Sequence, residues 1–109
     1  MFLQTCLLVL LRREKSYGYS LGSDISQFGF NPRTLDMSII YRALRGLEIE
    51  GLVSADWDER SMGPQRRMYE ITPRGLEVLA LSMAELGNRK REIEALEHIY
   101  EQATNRNPS

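Results

Sequence analysis

Leu3, Cys6, Leu7, Leu10 and Leu11 recur at i, i+3, i+4, i+7 and i+8. This is the apolar stripe of an amphipathic helix, whose polar end is Arg12 to Lys15. Ser16 is placed to cap a second, short helix in which Leu21, Ile25 and Phe28 fall at spacings of four and three before Gly29 closes it. Asn31, Pro32 and Arg33 form a turn, after which Thr34 or Asp36 can cap a third helix with Ile40, Ala43, Leu44 and Leu47 on its buried side. Gly51 stands where a C′ glycine would end that helix.

From Leu52 the period shortens to two. Val53, Ala55 and Trp57 alternate with Ser54, Asp56 and Asp58, and Tyr69 and Ile71 alternate with Met68 and Glu70. The segment between them holds Gly63 and Pro64, so the two runs read as strands of one hairpin. Thr72 then caps a long helix with Pro73 at its first position, and Ile71 and Leu76 are spaced for a hydrophobic staple. Leu76, Leu79, Met83 and Leu86 keep a 3,4,3 spacing; Lys90 falls where the next apolar residue belongs, and Ile93, Leu96 and Tyr100 resume it, so the helix is continuous or kinked near Gly87.

The predicted fold class is therefore mostly α with a small β-hairpin. Helix, helix, helix, strand, strand is the order of a winged helix-turn-helix, whose third helix enters the DNA major groove while the hairpin loop touches backbone or minor groove. The expected organisation is a DNA-binding domain over residues 1–72, a C-terminal dimerisation helix over 73–104 and a disordered tail over 105–109. If the third helix buries Ile40, Ala43, Leu44 and Leu47, then Ser38, Tyr41, Arg42 and Arg45 form its opposite stripe. Guanidiniums suit guanine edges and phosphates, and hydroxyls can donate to phosphate. The plainer reading of the same stripe is a solvated face whose arginines pair with Glu48 and Glu50. Arg66 and Arg67 end the Gly63–Arg67 segment at the expected tip of the hairpin, where they would reach phosphates or a minor groove, or else merely protect an edge strand.

Composition narrows the alternatives. With 109 residues, 42% hydrophobic and 27% charged, the chain has the size and make-up of one compact domain with an appended element. The net charge of −1 supplies no general field toward nucleic acid, yet it is unevenly distributed. Residues 1–75 carry ten Lys+Arg against nine Asp+Glu, and residues 76–109 carry four against six. Cys6 is the single cysteine, which excludes an internal disulfide and suits a buried thiol in a reducing, cytoplasmic setting. The apolar run from Phe2 to Leu11 is too short to span a membrane, and Arg12 and Arg13 follow it, the wrong order for a signal peptide. Enzymatic chemistry has no supporting constellation, because His98 is the lone histidine and no phosphate loop, metal-ligand cluster or Ser/His/Asp set can be assembled. No cofactor is expected. Trp57 and the methionines, at strand and helix spacing, read as core rather than as a drug pocket.

The segments Tyr17-Gly18-Tyr19-Ser20-Leu21, Ile40 through Val53 and Gly63 through Gly75 resemble the PadR family of bacterial transcriptional regulators, in order, over roughly residues 3 to 85. The opening Phe2 to Leu8 is also similar to a subgroup described as polyhydroxybutyrate-responsive repressors. The resemblance implies a winged-helix repressor that dimerises through its C-terminal helix, binds a pseudo-palindromic double-stranded operator, and often releases it when a small-molecule effector or stress signal arrives. Two positions depart from the family pattern. Ile39 replaces a threonine that would approach phosphate, and Gln65 replaces a proline of the wing motif.

Length adds a physical argument for the dimer. Ile93, Leu96, Ile99 and Tyr100 extend up to roughly 40 Å along the helix beyond Thr72, farther than a winged helix of this size can cover. A partner chain is expected over the stripe Leu76, Leu79, Met83, Leu86, Ile93, Leu96, Ile99 and Tyr100. The main alternative is a winged helix used for protein contacts, suggested by the weak net charge and by Asp56, Asp58 and Glu59 beside the wing. Cations kept clear of carboxylates would favour DNA.

Overall fold

A computed structural model describes residues 2–31, 33–58, 60 and 66–106. The helices are α1 (Phe2–Arg13), α2 (Gly18–Asp24), α3 (Met37–Ile49) and α4 (Pro73–Asn105), and the strands are β1 (Ser16–Tyr17), β2 (Val53–Asp58) and β3 (Arg66–Ile71). A 3-10 turn, Ile25–Phe28, follows α2. The three strands form an antiparallel sheet in the order β1-β3-β2, with Val53 opposite Ile71 and Asp58 opposite Arg66. This is a winged helix-turn-helix: three helices, then a hairpin whose free strand edge is covered by β1.

The chain forms two compact units, residues 1–79 and 80–109. The first contains the core. Leu7, Leu21, Ile40, Leu44 and Leu47 are fully buried, and Leu52, Val53 and Tyr69 join them from the start of the hairpin and from β3. α1 packs against both α3 and β3, so its leucine stripe is enclosed on two sides. Burying a leucine in this way contributes roughly 1.5–3 kcal/mol each. In the second unit, α4 carries Leu81, Met83, Leu86, Ile93, Leu96, Ile99 and Tyr100 exposed in the single chain. Leu79 belongs instead to the core of the first unit, so among the residues expected to meet a partner it is already covered within its own chain.

Local chemistry explains where α3 and α4 begin. Asp36 caps α3, its carboxylate accepting the backbone N–H groups of Ser38 and Ile39 at 3.0 and 3.2 Å. Of the two candidate caps, Thr34 instead donates its hydroxyl to the Asn31 carbonyl, in a turn where the Asn31 side chain accepts the Arg33 N–H. Pro32 of that turn lies outside the described residues. The Thr72 hydroxyl accepts the Gly75 N–H at 3.0 Å and donates to the Gly51 carbonyl at 2.7 Å, which ties the start of α4 to the end of α3. Gly51 itself has φ 76°, a left-handed conformation that L side chains rarely adopt.

Two sequence expectations are corrected here. Ser16 does not cap the second helix: it pairs with Tyr69 as part of β1, a strand of two residues, too short to leave an alternation in the sequence. Tyr17 takes the cap position, with no side-chain hydrogen bond to the helix it caps. Trp57 is not core but 57% exposed. It lies on the same face of β2 as Val53, but at the distal end of the hairpin, where burial has already faded through Ala55. Met37 and Met68 are half-buried and Met83 is exposed. α4 runs through Gly87 without interruption and includes Asn105, the first residue of the expected tail; residues 107–109 lie outside the described set.

Candidate nucleic-acid interface

Because α3 buries Ile40, Ala43, Leu44 and Leu47, helical geometry turns Ser38, Tyr41, Arg42 and Arg45 outward, and all four are exposed. Together with Glu48 and Ile49 at the end of α3, and Arg67 and Tyr69 on β3, they line a groove of about 740 Å³ between helix and hairpin. Neither Arg42 nor Arg45 has a carboxylate ion pair among the described residues, so both guanidiniums are free for an external partner. Glu48, which sequence reasoning offered as their partner, pairs with Arg67 across the groove at 2.9 Å.

That pairing changes the placing of the wing cations. Arg66 and Arg67 are the first residues of β3, opposite Asp58 and Trp57, rather than part of the loop tip. Arg67 is half-buried, with its guanidinium 5.6 Å from the Trp57 ring centre and 5.9 Å from that of Tyr69. Its Nε–H is buried without an acceptor among the described residues. Arg67 therefore ties the hairpin to α3. Arg66 is exposed, with its guanidinium 5.6 Å from the Tyr17 ring centre. Ser61 through Gln65, including the Gly63-Pro64-Gln65 stretch, lie outside the described residues.

Hydrogen bonding fixes the remaining side chains. The Ser38 hydroxyl donates to Asp36 at 2.6 Å, so its proton is committed to the helix cap and only its lone pairs are open to a ligand. The Asp36 carboxyl is held below its ordinary value, first by that hydroxyl, then by the Ile39 N–H, with a further contribution from the Arg42 charge. The Tyr17 hydroxyl donates to Asp58, and Asp58 also accepts the Arg60 N–H at 3.0 Å. The same bond lowers the pKa of Asp58 and raises that of Tyr17, fastening β1 to the wing. Tyr41 lies so close to Gly18 that a Cβ there would stand 2.5 Å from its ring.

Sequence reasoning missed Ile49, which is 75% exposed at the end of the stripe. Its spacing of four from Arg45 could have found it. An apolar group on such a face can contact thymine methyls. The hairpin's part in the groove, through Arg67 and Tyr69, had no signal in local spacing.

Other chemistries find little support. Burial pushes the Cys6 thiol up, away from the nucleophilic thiolate. Among the described residues no cluster of His, Cys, Asp and Glu could hold a metal, and no helix is long and apolar enough to cross a membrane.

Comparison with known proteins agrees with this geometry. The model of the transcriptional regulator PadR-like family matches residues 7–81. A solved structure of a conserved protein of unknown function, described as a potential transcriptional factor, is 34% identical; the match has a TM-score of 0.83 and covers 95% of this chain and 91% of the other. A PadR-like transcriptional regulator from Bacillus cereus is 30% identical, with a TM-score of 0.75 over 86% of this chain and 89% of its own. A transcriptional regulator from Clostridium thermocellum is 26% identical, with a TM-score of 0.75 over 86% and 88%. No curated protein matches the chain. With a winged helix whose third helix presents arginines free of carboxylate ion pairs among the described residues, and a family match over most of its length, the chain belongs to the PadR-like family of transcriptional regulators, DNA-binding regulatory proteins rather than enzymes.

Proposed function

We propose that the protein is a sequence-specific repressor that acts as a homodimer on a pseudo-palindromic operator and releases it when a small-molecule effector binds. The DNA-binding residues are Ser38, Tyr41, Arg42, Arg45 and Arg66, with Arg67 at the edge of the groove. The observation that carries this reading is the pair Arg42 and Arg45, exposed on α3 and free of carboxylate partners among the described residues. A winged helix used only for protein contacts has no need to keep these cations clear while pairing the neighbouring Glu48 elsewhere.

The dimer rests on a separate argument. Met83, Leu86, Ile93, Leu96, Ile99 and Tyr100 are exposed in the single chain, and so many large apolar side chains left on one helix are a mark of an association surface. Two copies would present two α3 helices to adjacent half-sites and add their contacts on one duplex. The organisation is then residues 1–72 for DNA and the helix over 73–104 for the second copy, its contact surface lying beyond Leu79.

Selection of duplexes from a random library yields the operator, and a salt titration on it then tests the reading. Each phosphate contact contributes to a falling log–log slope, so a dimer should show a steep salt dependence. Truncation after Leu86 should give a monomer by sedimentation with greatly reduced operator affinity. No selected duplex, or a full-length monomer at micromolar concentration, would refute the DNA and dimer assignments respectively.

A further inference from the structure

Ile49, the last residue of α3, lines the groove between helix and hairpin and is 75% open to water. Among the described residues it is the one aliphatic side chain of that lining. The residues around it are committed or differently equipped. Glu48 is held by Arg67 at 2.9 Å, Tyr69 is buried in the core, and one edge of the Tyr41 ring lies against Gly18. The Arg42 and Arg45 guanidiniums can only donate hydrogen bonds, so they suit guanine edges and phosphates. The 5-methyl of thymine, the apolar mark of the major groove, needs an apolar partner, and Ile49 supplies one.

We propose that Ile49 is a specificity residue that reads one thymine in each half-site through contact with its 5-methyl group. A β-branched side chain on a helix is largely confined to one χ1 well, so its methyl groups are set before DNA arrives and little freedom is lost on contact. Four residues separate Ile49 from Arg45, about 6 Å along the helix, which is about two base-pair steps. The thymine therefore falls about two base pairs from the contact of Arg45, on the side away from Arg42. Arg45 and Ile49 divide the reading, one by charge-assisted donation and the other by apolar contact. Thymine reading presupposes the operator binding proposed above and adds which base the far end of α3 demands.

Deoxyuridine in place of thymidine keeps every base-pairing group and removes only the 5-methyl. In the operator selected from a random library, each thymine is replaced in turn, symmetrically in both half-sites, and binding of the full-length protein is followed by fluorescence anisotropy. Replacement at one position should weaken binding about fifteenfold, or about fourfold per half-site, the effect of one methyl group no longer removed from water. Ile49→Ala should bind the thymine duplex only as well as the native chain binds the uracil duplex, and should no longer distinguish the two. Its melting temperature should match that of the native protein, because the side chain is exposed. Ile49→Val should keep part of the preference. An operator without a uracil-sensitive thymine, or an undiminished thymine preference in Ile49→Ala, would overturn the assignment while leaving operator binding in place. Equal weakening of Ile49→Ala toward both duplexes would make Ile49 a general contact and overturn it as well. Failure to select any duplex would refute the proposed function and thymine reading together.

Discussion

Leucines of the first unit and leucines of the second are treated in opposite ways. Leu7, Leu44 and Leu47 are lost from water within a core built by α1, α3 and the sheet, whereas Leu81 and Leu96 in α4 are 69% and 68% exposed. Helix propensity does not separate them, since leucine favours both helices. The difference is the number of elements that can surround each helix. α1 is packed against α3 and β3, so its stripe is enclosed by its own chain. The second unit contains helix alone among its described residues, and a lone helix cannot enclose its own apolar side chains. The first unit thus encloses its own apolar side chains, and the second leaves its own exposed in the single chain.

The largest expected effect breaks this contrast with one kind of substitution made twice. Leu44→Ala removes a fully buried side chain and should cost about 2–5 kcal/mol of unfolding free energy in urea titration. Leu96→Ala should leave the winged-helix core unperturbed in near-ultraviolet circular dichroism and weaken self-association in sedimentation. Equal core loss in both variants would erase the distinction between the units.

A smaller effect separates reading from support within the first unit. Arg42→Ala and Arg45→Ala should each cost about 1–3 kcal/mol of operator binding and relax base preference while the melting temperature stays unchanged. Glu48→Gln should lower the melting temperature and, although it removes a negative charge from the groove, should not strengthen DNA binding, because Arg67 then loses its anchor. Tighter binding by Glu48→Gln in a duplex titration would mean that Arg67 works as a free phosphate contact.

The smallest effect is a pH dependence confined to the first unit. Asp36 has its folded-state pKa lowered, chiefly by the Ser38 hydroxyl, so its contribution is present above the unfolded-state value and is lost as pH falls through the folded one. Asp36→Ala should show a slightly reduced melting temperature at neutral pH. The gap to the native protein should close in acid below the ordinary carboxylate value of 3.8. A gap that persists unchanged at pH 2 would assign it to something other than the charged cap.

How much was legible depended on the range of each interaction. The stripes of α1 and α3, the Thr72 cap and the outward turn of Arg42 and Arg45 are consequences of spacing within a few residues, and the chain shows them directly. β1 escaped notice because its two residues are a strand only by virtue of Tyr69 and Met68, some fifty positions away. Trp57 alternates correctly and yet stays exposed, since burial depends on what lies above a strand face and not on the alternation. Arg67 read as a wing-tip cation because nothing local announces a bond to Glu48.

The sequence by itself determined the order of the helices and the hairpin, the outward stripe of α3 and the family, because periodicity, caps and short motifs are local properties that survive without a fold. Tertiary structure alone decided which cations remain free, which rings stay open beside α3, and where self-sufficient packing ends. Those outcomes depend on the contest between a side chain's nearest partner in space and water, and the chain settles that contest only once its distant segments have met.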